Sequence, residues 1–77
     1  KSVVVGSSVG LHARPAAIIS EAAGALDAEV TINGVDASSA LLLMTLGASC
    51  GDTVEVASDD DAAVEAIAAL VEKDLDA

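Results

Sequence analysis

The sequence predicts an α+β fold of βαββαβα order, an open-faced sandwich in which a four-stranded, mainly antiparallel sheet carries its helices on one face. Three observations lead there. Short apolar or alternating runs occur at Val3–Val5, 28–32, Val35–Ala37 and Thr53–Ala57, an Asn33-Gly34 pair sits between two of them, and helix-spaced apolar residues follow Pro15 and Asp61. The chain has 77 residues, which fits one domain spanning 1–77 and makes a second core improbable on size alone.

Each element has its own local cause. Val3-Val4-Val5 is a β-branched run ended by Gly6, which reads as a strand of a buried sheet. From Pro15 to about Ala23, Ile19, Ala22, Ala23 and Leu26 recur at helical spacing, and Gly24 supplies a stop. Val30 and Ile32 alternate with Glu29 and Thr31, and Asn33-Gly34 matches the two-residue hairpin turn that needs positive φ, so Val35–Ala37 returns as the paired strand. Ser38-Ser39 offers an N-cap to Ala40-Leu41-Leu42-Leu43-Met44, a short helix with an exposed apolar face. Gly47 and Gly51 bracket a loop before Thr53–Ala57, where Val54 and Val56 point inward. In the last helix Val64, Ile67, Ala68, Val71 and Leu75 form the inward stripe, with Ser58 or one of Asp59, Asp60 and Asp61 as cap.

Composition narrows the function. Apolar residues make up 53 % of the chain, yet Phe, Tyr and Trp are absent, so the core is aliphatic and small. Thirteen acids face three cations, Lys1, Arg14 and Lys73, a formal charge of −10 that excludes binding to nucleic acid or an anionic membrane surface. Acidity together with a mean hydropathy of +0.63 argues for a folded rather than disordered chain. Concentrated salt, where the Debye length falls to about 3 Å near 1 M, would screen the repulsion, so a halophilic setting is expected. A lone Cys50 supports no intramolecular disulfide, and no apolar stretch approaches the ~20 residues of a membrane span, so the cytoplasm is the expected compartment.

The chemistry concentrates in Gly10-Leu11-His12-Ala13-Arg14-Pro15-Ala16-Ala17, which holds the only His, Arg and Pro. Pro15 is tolerated in a first helical turn and puts His12 near the N-cap, where Ser, Thr, Asp or Asn would serve stability better. A residue that local stability does not favour points to function. Early backbone N–H groups, here expected from Ala13, Arg14, Ala16 and Ala17, together with the helix dipole suit a phosphoryl group. His12 is the candidate nucleophile, and Arg14 supplies planar, permanently charged donors to phosphoryl oxygens. Asp59–Asp61 lacks the spacing of a calcium loop, and neither a metal nor a cofactor is expected.

Gly10 to Ala17 resembles the active-site signature of the HPr family of histidine-containing phosphocarriers, and Ser39 through Thr45-Leu46-Gly47 resembles that family's regulatory-site segment. The resemblance implies that His12 carries the phosphoryl group on its δ1 nitrogen. The group would come from enzyme I, charged by phosphoenolpyruvate, and go to the IIA component of a sugar transporter. It also implies a docking patch of Leu41, Leu42 and Met44, while the residues themselves read Leu43 and Leu46 as core members. Ser39 falls where some members are phosphorylated by an ATP-dependent kinase, although Ser38 stands where members often carry Lys, which favours a plain N-cap role. Val9 replaces the polar residue often found before the Gly-Leu-His, and the family's basic docking residues are missing. Two other readings compete: a carrier for a dihydroxyacetone kinase relay using the same His12 and Arg14, and a regulatory binding module controlled by phosphorylation. A carrier that visits its partners through one surface is expected to be a monomer.

Overall fold

The computed structural model describes residues 1–75. It contains β1 (Ser2–Val4), α1 (Ala13–Gly24), β2 (Val30–Ile32), β3 (Val35–Asp36), α2 (Ala40–Thr45), β4 (Thr53–Ser58) and α3 (Asp61–Glu72), which is the expected order. The strands lie side by side as β1-β4-β2-β3. All three pairings are antiparallel, with Val3 opposite Val54, Ile32 opposite Val56 and Thr31 opposite Asp36.

Period-2 alternation decides which face is covered. Val3, Val5, Val30, Ile32, Val54 and Val56 are buried and meet Ile19 of α1, Leu43 of α2 and Ile67 and Val71 of α3. Val4, Thr53, Glu55 and Ala57 stay exposed, leaving the opposite face open. The core is aliphatic throughout, and its largest fully buried side chains include Leu11, Ile19, Ile32, Leu43 and Ile67.

The β2–β3 hairpin turns through Asn33 at φ +51° and Gly34 at φ +82°. Asn33 is more than a tolerant turn residue. Its backbone N–H donates to the Glu55 carbonyl and its Oδ1 accepts the Glu55 N–H, both at 2.8 Å, which ties the hairpin to β4.

At α3 the structure selects one of the expected caps, and the inward stripe differs from expectation. Asp60 is the cap, its Oδ1 accepting the Ala62 N–H at 2.9 Å. The fully buried stripe is Ala63, Ile67, Ala68 and Val71, while Val64 is only half-buried, because the helix rolls its small alanines against the sheet and sets the wider Val at the flank. The helix ends at Glu72, so Leu75 packs against the core from the segment beyond it. Gly6 explains how that segment is held. A Cβ there would collide with the Glu72 carbonyl, and the Gly6 N–H donates to the Val71 carbonyl at 3.0 Å.

Candidate functional site

The segment between β1 and α1 is a sequence of local constraints that ends at His12. The Ser7 carbonyl accepts the Gly10 N–H at 2.9 Å, closing a tight turn over Ser8 and Val9. Gly10 has φ +74°, and a Cβ on it would strike the Ala48 carbonyl, so only glycine fits both the conformation and the space. Leu11 is 2 % exposed and its N–H donates to that same Ala48 carbonyl at 3.0 Å. The buried leucine therefore fixes the backbone on which the next side chain stands.

His12 is exposed and is itself the N-cap of α1, with extended backbone at φ −127° and ψ 161° and no capping hydrogen bond from its ring. The helix begins at Ala13, two residues before Pro15. Ala13 has φ +38°, a left-handed conformation that costs a non-glycine residue about 1–2 kcal/mol. Sequence reasoning gave no sign of that strain. Pro15 is buried in the first turn, where its missing N–H leaves no partner wanting.

The donors at the helix mouth are fewer than four. The Ala16 N–H already reaches the His12 carbonyl at 3.4 Å, Ala16 is fully buried, and Ala17 lies one residue deeper in the helical ladder. The Ala16 N–H is thus engaged in closing the first turn, and Pro15 has nothing to donate. The N–H groups of Ala13 and Arg14 have no partner among the described residues. The Arg14 side chain is exposed and likewise forms no hydrogen bond or ion pair among the described residues, although the chain carries thirteen acids.

The distribution of those acids accounts for the free guanidinium. All thirteen fall within residues 21–36 and 52–76, so residues 1–20 and 37–51 contain none. The Leu11–Ala48 hydrogen bond and the packing of α1 on α2 join these two acid-free segments around His12. A phosphoryl group bound there would add negative charge, and neighbouring carboxylates would repel it. The signal was present in the sequence, but only the fold shows that the two segments meet.

The other candidate residues separate by burial. Leu41 is 68 % and Leu42 39 % exposed, whereas Leu43 is fully buried. Met44 is half-buried and packs against the core with Leu46, beside the exposed Leu41 and Leu42. A six-residue helix can turn only one narrow stripe inward, and Met44 flanks Leu43 on that stripe with a long, flexible thioether that folds onto the core. Val9 adds a further exposed apolar side chain within the Ser7–Gly10 turn, at 56 %. Ser39 is the N-cap of α2, its Oγ accepting the Leu42 N–H at 3.3 Å. Asp36 supports that start, its Oδ1 accepting from the Ser38 N–H at 2.9 Å and the Ser38 hydroxyl at 2.7 Å. These hydrogen bonds from Ser38 hold the Asp36 carboxyl below its ordinary value. Exposed Cys50 lies in the α2–β4 loop, where the Ser49 N–H donates to Asp52 Oδ2 at 2.8 Å. No cluster of three or more metal-ligating side chains occurs among the described residues, and no described helix is long and apolar enough to cross a membrane.

Two positions that matter for the site escaped the sequence reading. Ala48 is the carbonyl anchor for Leu11, and nothing in its side chain marks that role. Ser7 is the one buried polar side chain among the described residues, and its partners lie more than sixty positions away in the chain.

An open-faced βαββαβα sandwich that presents an uncapped imidazole at a helix mouth, beside a free arginine, has the architecture of the small histidine phosphocarriers. The family described as the PTS HPr component phosphorylation site matches residues 1–73. The phosphocarrier protein HPr of Streptomyces coelicolor is 42 % identical over 99 % of this chain and 90 % of its own length, and that of Vibrio cholerae is 40 % identical over 92 % and 88 %. Among solved structures, the HPr of Bacillus anthracis superposes with a TM-score of 0.82 at 35 % identity, covering 92 % of this chain and 93 % of its own. The HPr of Thermoanaerobacter tengcongensis superposes with a TM-score of 0.83 at 29 % identity, covering 94 % and 89 %. The chain belongs to the HPr family and is a phosphocarrier of the phosphotransferase system. Neither the dihydroxyacetone kinase relay nor the binding module is favoured by these likenesses.

Proposed function

We propose that His12 is the carrier residue and that this chain, as a single monomeric domain over residues 1–77, relays phosphoryl groups in the cytoplasm from enzyme I to a sugar-specific IIA component. One observation carries the reading. An exposed imidazole stands at the mouth of α1, followed by the Ala13 and Arg14 N–H groups and the Arg14 guanidinium, none of which has a partner among the described residues, in an acid-free stretch of sequence.

The first step forms a bond between the His12 ring nitrogen, Nδ1 in the family's pattern, and the phosphorus of the donor's phosphohistidine. The donor's N–P bond breaks and its electron pair returns to the donor imidazole. The second step repeats this displacement with the acceptor's nucleophile attacking, so His12 leaves as neutral imidazole. Transfer of this kind asks for positioning and for stabilisation of charge on the equatorial oxygens. The Ala13 and Arg14 N–H groups and the Arg14 fork provide donors for those oxygens. Leu41 and Leu42, with Val9, form the apolar docking contacts for both partners in turn, and Met44 contributes from its half-buried position.

Transfer of label from phosphoenolpyruvate through enzyme I tests the reading. Acid-labile phosphate is expected on the wild-type chain and none on His12→Ala; equal labelling of the two would move the carrier role to another residue. Ser39 serves α2 as its cap, and a regulatory role would require a kinase to open the Ser39–Leu42 hydrogen bond. An acid-stable phosphate that disappears in Ser39→Ala is the signature of such a role, and its absence after incubation with ATP and cell extract leaves Ser39 a cap alone.

A further inference from the structure

Ser7 is 1 % exposed, and its hydroxyl is used twice. It donates to the Lys73 carbonyl at 3.2 Å and accepts the Leu75 N–H at 3.1 Å. Its backbone carbonyl accepts the Gly10 N–H at 2.9 Å, so the same residue opens the turn that delivers Leu11 and His12. The neighbouring contacts run between the same two segments. The Gly6 N–H donates to the Val71 carbonyl at 3.0 Å, the Ser8 N–H reaches Asp74 Oδ1 at 3.4 Å, and Gly6 packs directly on the Glu72 carbonyl.

A buried hydroxyl with both a donor and an acceptor partner is orientationally fixed, and it fixes what it joins. The end of α3 thereby becomes the seat of the His12 turn, although it contributes no group to the site.

We infer that Ser7 is a positioning residue for phosphoryl transfer, holding the His12 turn on the C-terminal segment 73–75 so that the imidazole and the Ala13 and Arg14 N–H groups stand in register. The inference rests on His12 being the carrier. Transfer depends steeply on register, since a displacement of about 1 Å at the reacting atoms can cost about a hundredfold in rate. Ser7 lies below the surface, so partner binding is not its business, and its loss should change the transfer step and spare the association.

The test is steady-state phosphorylation by phosphoenolpyruvate and enzyme I, with the chain as varied substrate. Ser7→Ala is expected to lower kcat about tenfold while KM for the chain changes less than twofold, with His12 ring C–H resonances shifted in the proton NMR spectrum. Ser58→Ala is the control, because it removes a comparable hydroxyl-to-carbonyl bond, Ser58 Oγ to the Glu29 carbonyl at 2.6 Å, at the far end of β4. It should leave kcat and the His12 resonances unchanged. Ser7→Cys keeps a weak donor and should fall between wild type and Ser7→Ala, and it serves as the main variant if Ser7→Ala does not fold. Wild-type kcat in a folded Ser7→Ala or Ser7→Cys overturns the inference, as does an equal loss in Ser58→Ala. A wild-type chain that takes no label overturns the His12 reading instead, and this inference with it.

Discussion

Leu11 donates its N–H to the carbonyl of Ala48 at 3.0 Å, and through that bond the loop before α1 is held by the loop after α2. Gly10 sits against the same carbonyl with φ +74°. The position of His12 is therefore set by a contact between residues thirty-seven positions apart in sequence, made by backbone atoms on both sides.

Gly10→Ala should be among the most damaging single substitutions near the site. The left-handed backbone costs about 1–2 kcal/mol for a residue with a Cβ, and the collision with a backbone carbonyl adds to it. A loss of at least about 2 kcal/mol is expected, which for a chain of this size lowers the melting temperature by about 10 °C or more. Calorimetry checks it, and a melting temperature within about 3 °C of wild type would show that the two loops separate without cost.

Ala13→Gly should act in the opposite sense. Glycine removes the penalty of φ +38°, about 1–2 kcal/mol, and restores up to about 1 kcal/mol of unfolded-state entropy cost. A net gain of about 0.5–1 kcal/mol is expected in denaturant melts. A destabilised variant would mean that the surrounding turn accommodates Ala13 without strain.

Arg14→Ala should separate function from stability. With no partner among the described residues, its removal is expected to shift stability by less than about 0.5 kcal/mol. Loss of a donor to developing charge is expected to slow transfer by about a hundredfold, with Arg14→Lys intermediate because a point charge replaces the planar fork. Stopped-flow transfer rates beside thermal melts distinguish the two effects.

A net charge of −10 on a body about 28 Å in its longest dimension makes stability depend on salt. The Debye length shortens from about 10 Å at 0.1 M to about 3 Å at 1 M, which screens most of the mutual repulsion. The melting temperature in a KCl series should rise across that interval. A flat or falling series would show that repulsion between carboxylates does not limit this fold.

Asp36 gives a pH signature of definite sign. Its carboxyl is held below the ordinary value by the Ser38 hydroxyl and then the Ser38 N–H. A folded-state pKa depressed below the unfolded one contributes stability above the unfolded value and loses it as pH falls through the folded value. Wild type should therefore exceed Asp36→Asn in melting temperature near neutral pH, and the difference should shrink as the solution is acidified below the ordinary aspartate range. A difference that stays constant with pH would assign the effect to shape rather than charge.

Much of this molecule is legible locally. Asn33-Gly34 specifies a turn with two positive φ values, alternation around Val54 and Val56 specifies a strand with one buried face, and His12-Ala13-Arg14-Pro15 marks a helix start whose cap is chosen for something besides stability. Each of these depends on residues within a few positions of one another, where side-chain chemistry and backbone preference act directly. Asn33 also shows where such reading stops, since the Oδ1 that suits the turn is used to bind Glu55 of a strand twenty-two positions away.

The sequence by itself determined the element order, the aliphatic core and the identity of the candidate nucleophile with its arginine. Tertiary structure alone decided the strand order, the half-buried packing of Met44 beside Leu43, the strain at Ala13, the meeting of two acid-free segments, and the anchoring of the His12 turn by Ala48 and Ser7. The physical reason is common to them all. They arise from carbonyls, N–H groups and volumes brought together by folding, and a backbone carbonyl is the same in every residue until the fold gives it a neighbour.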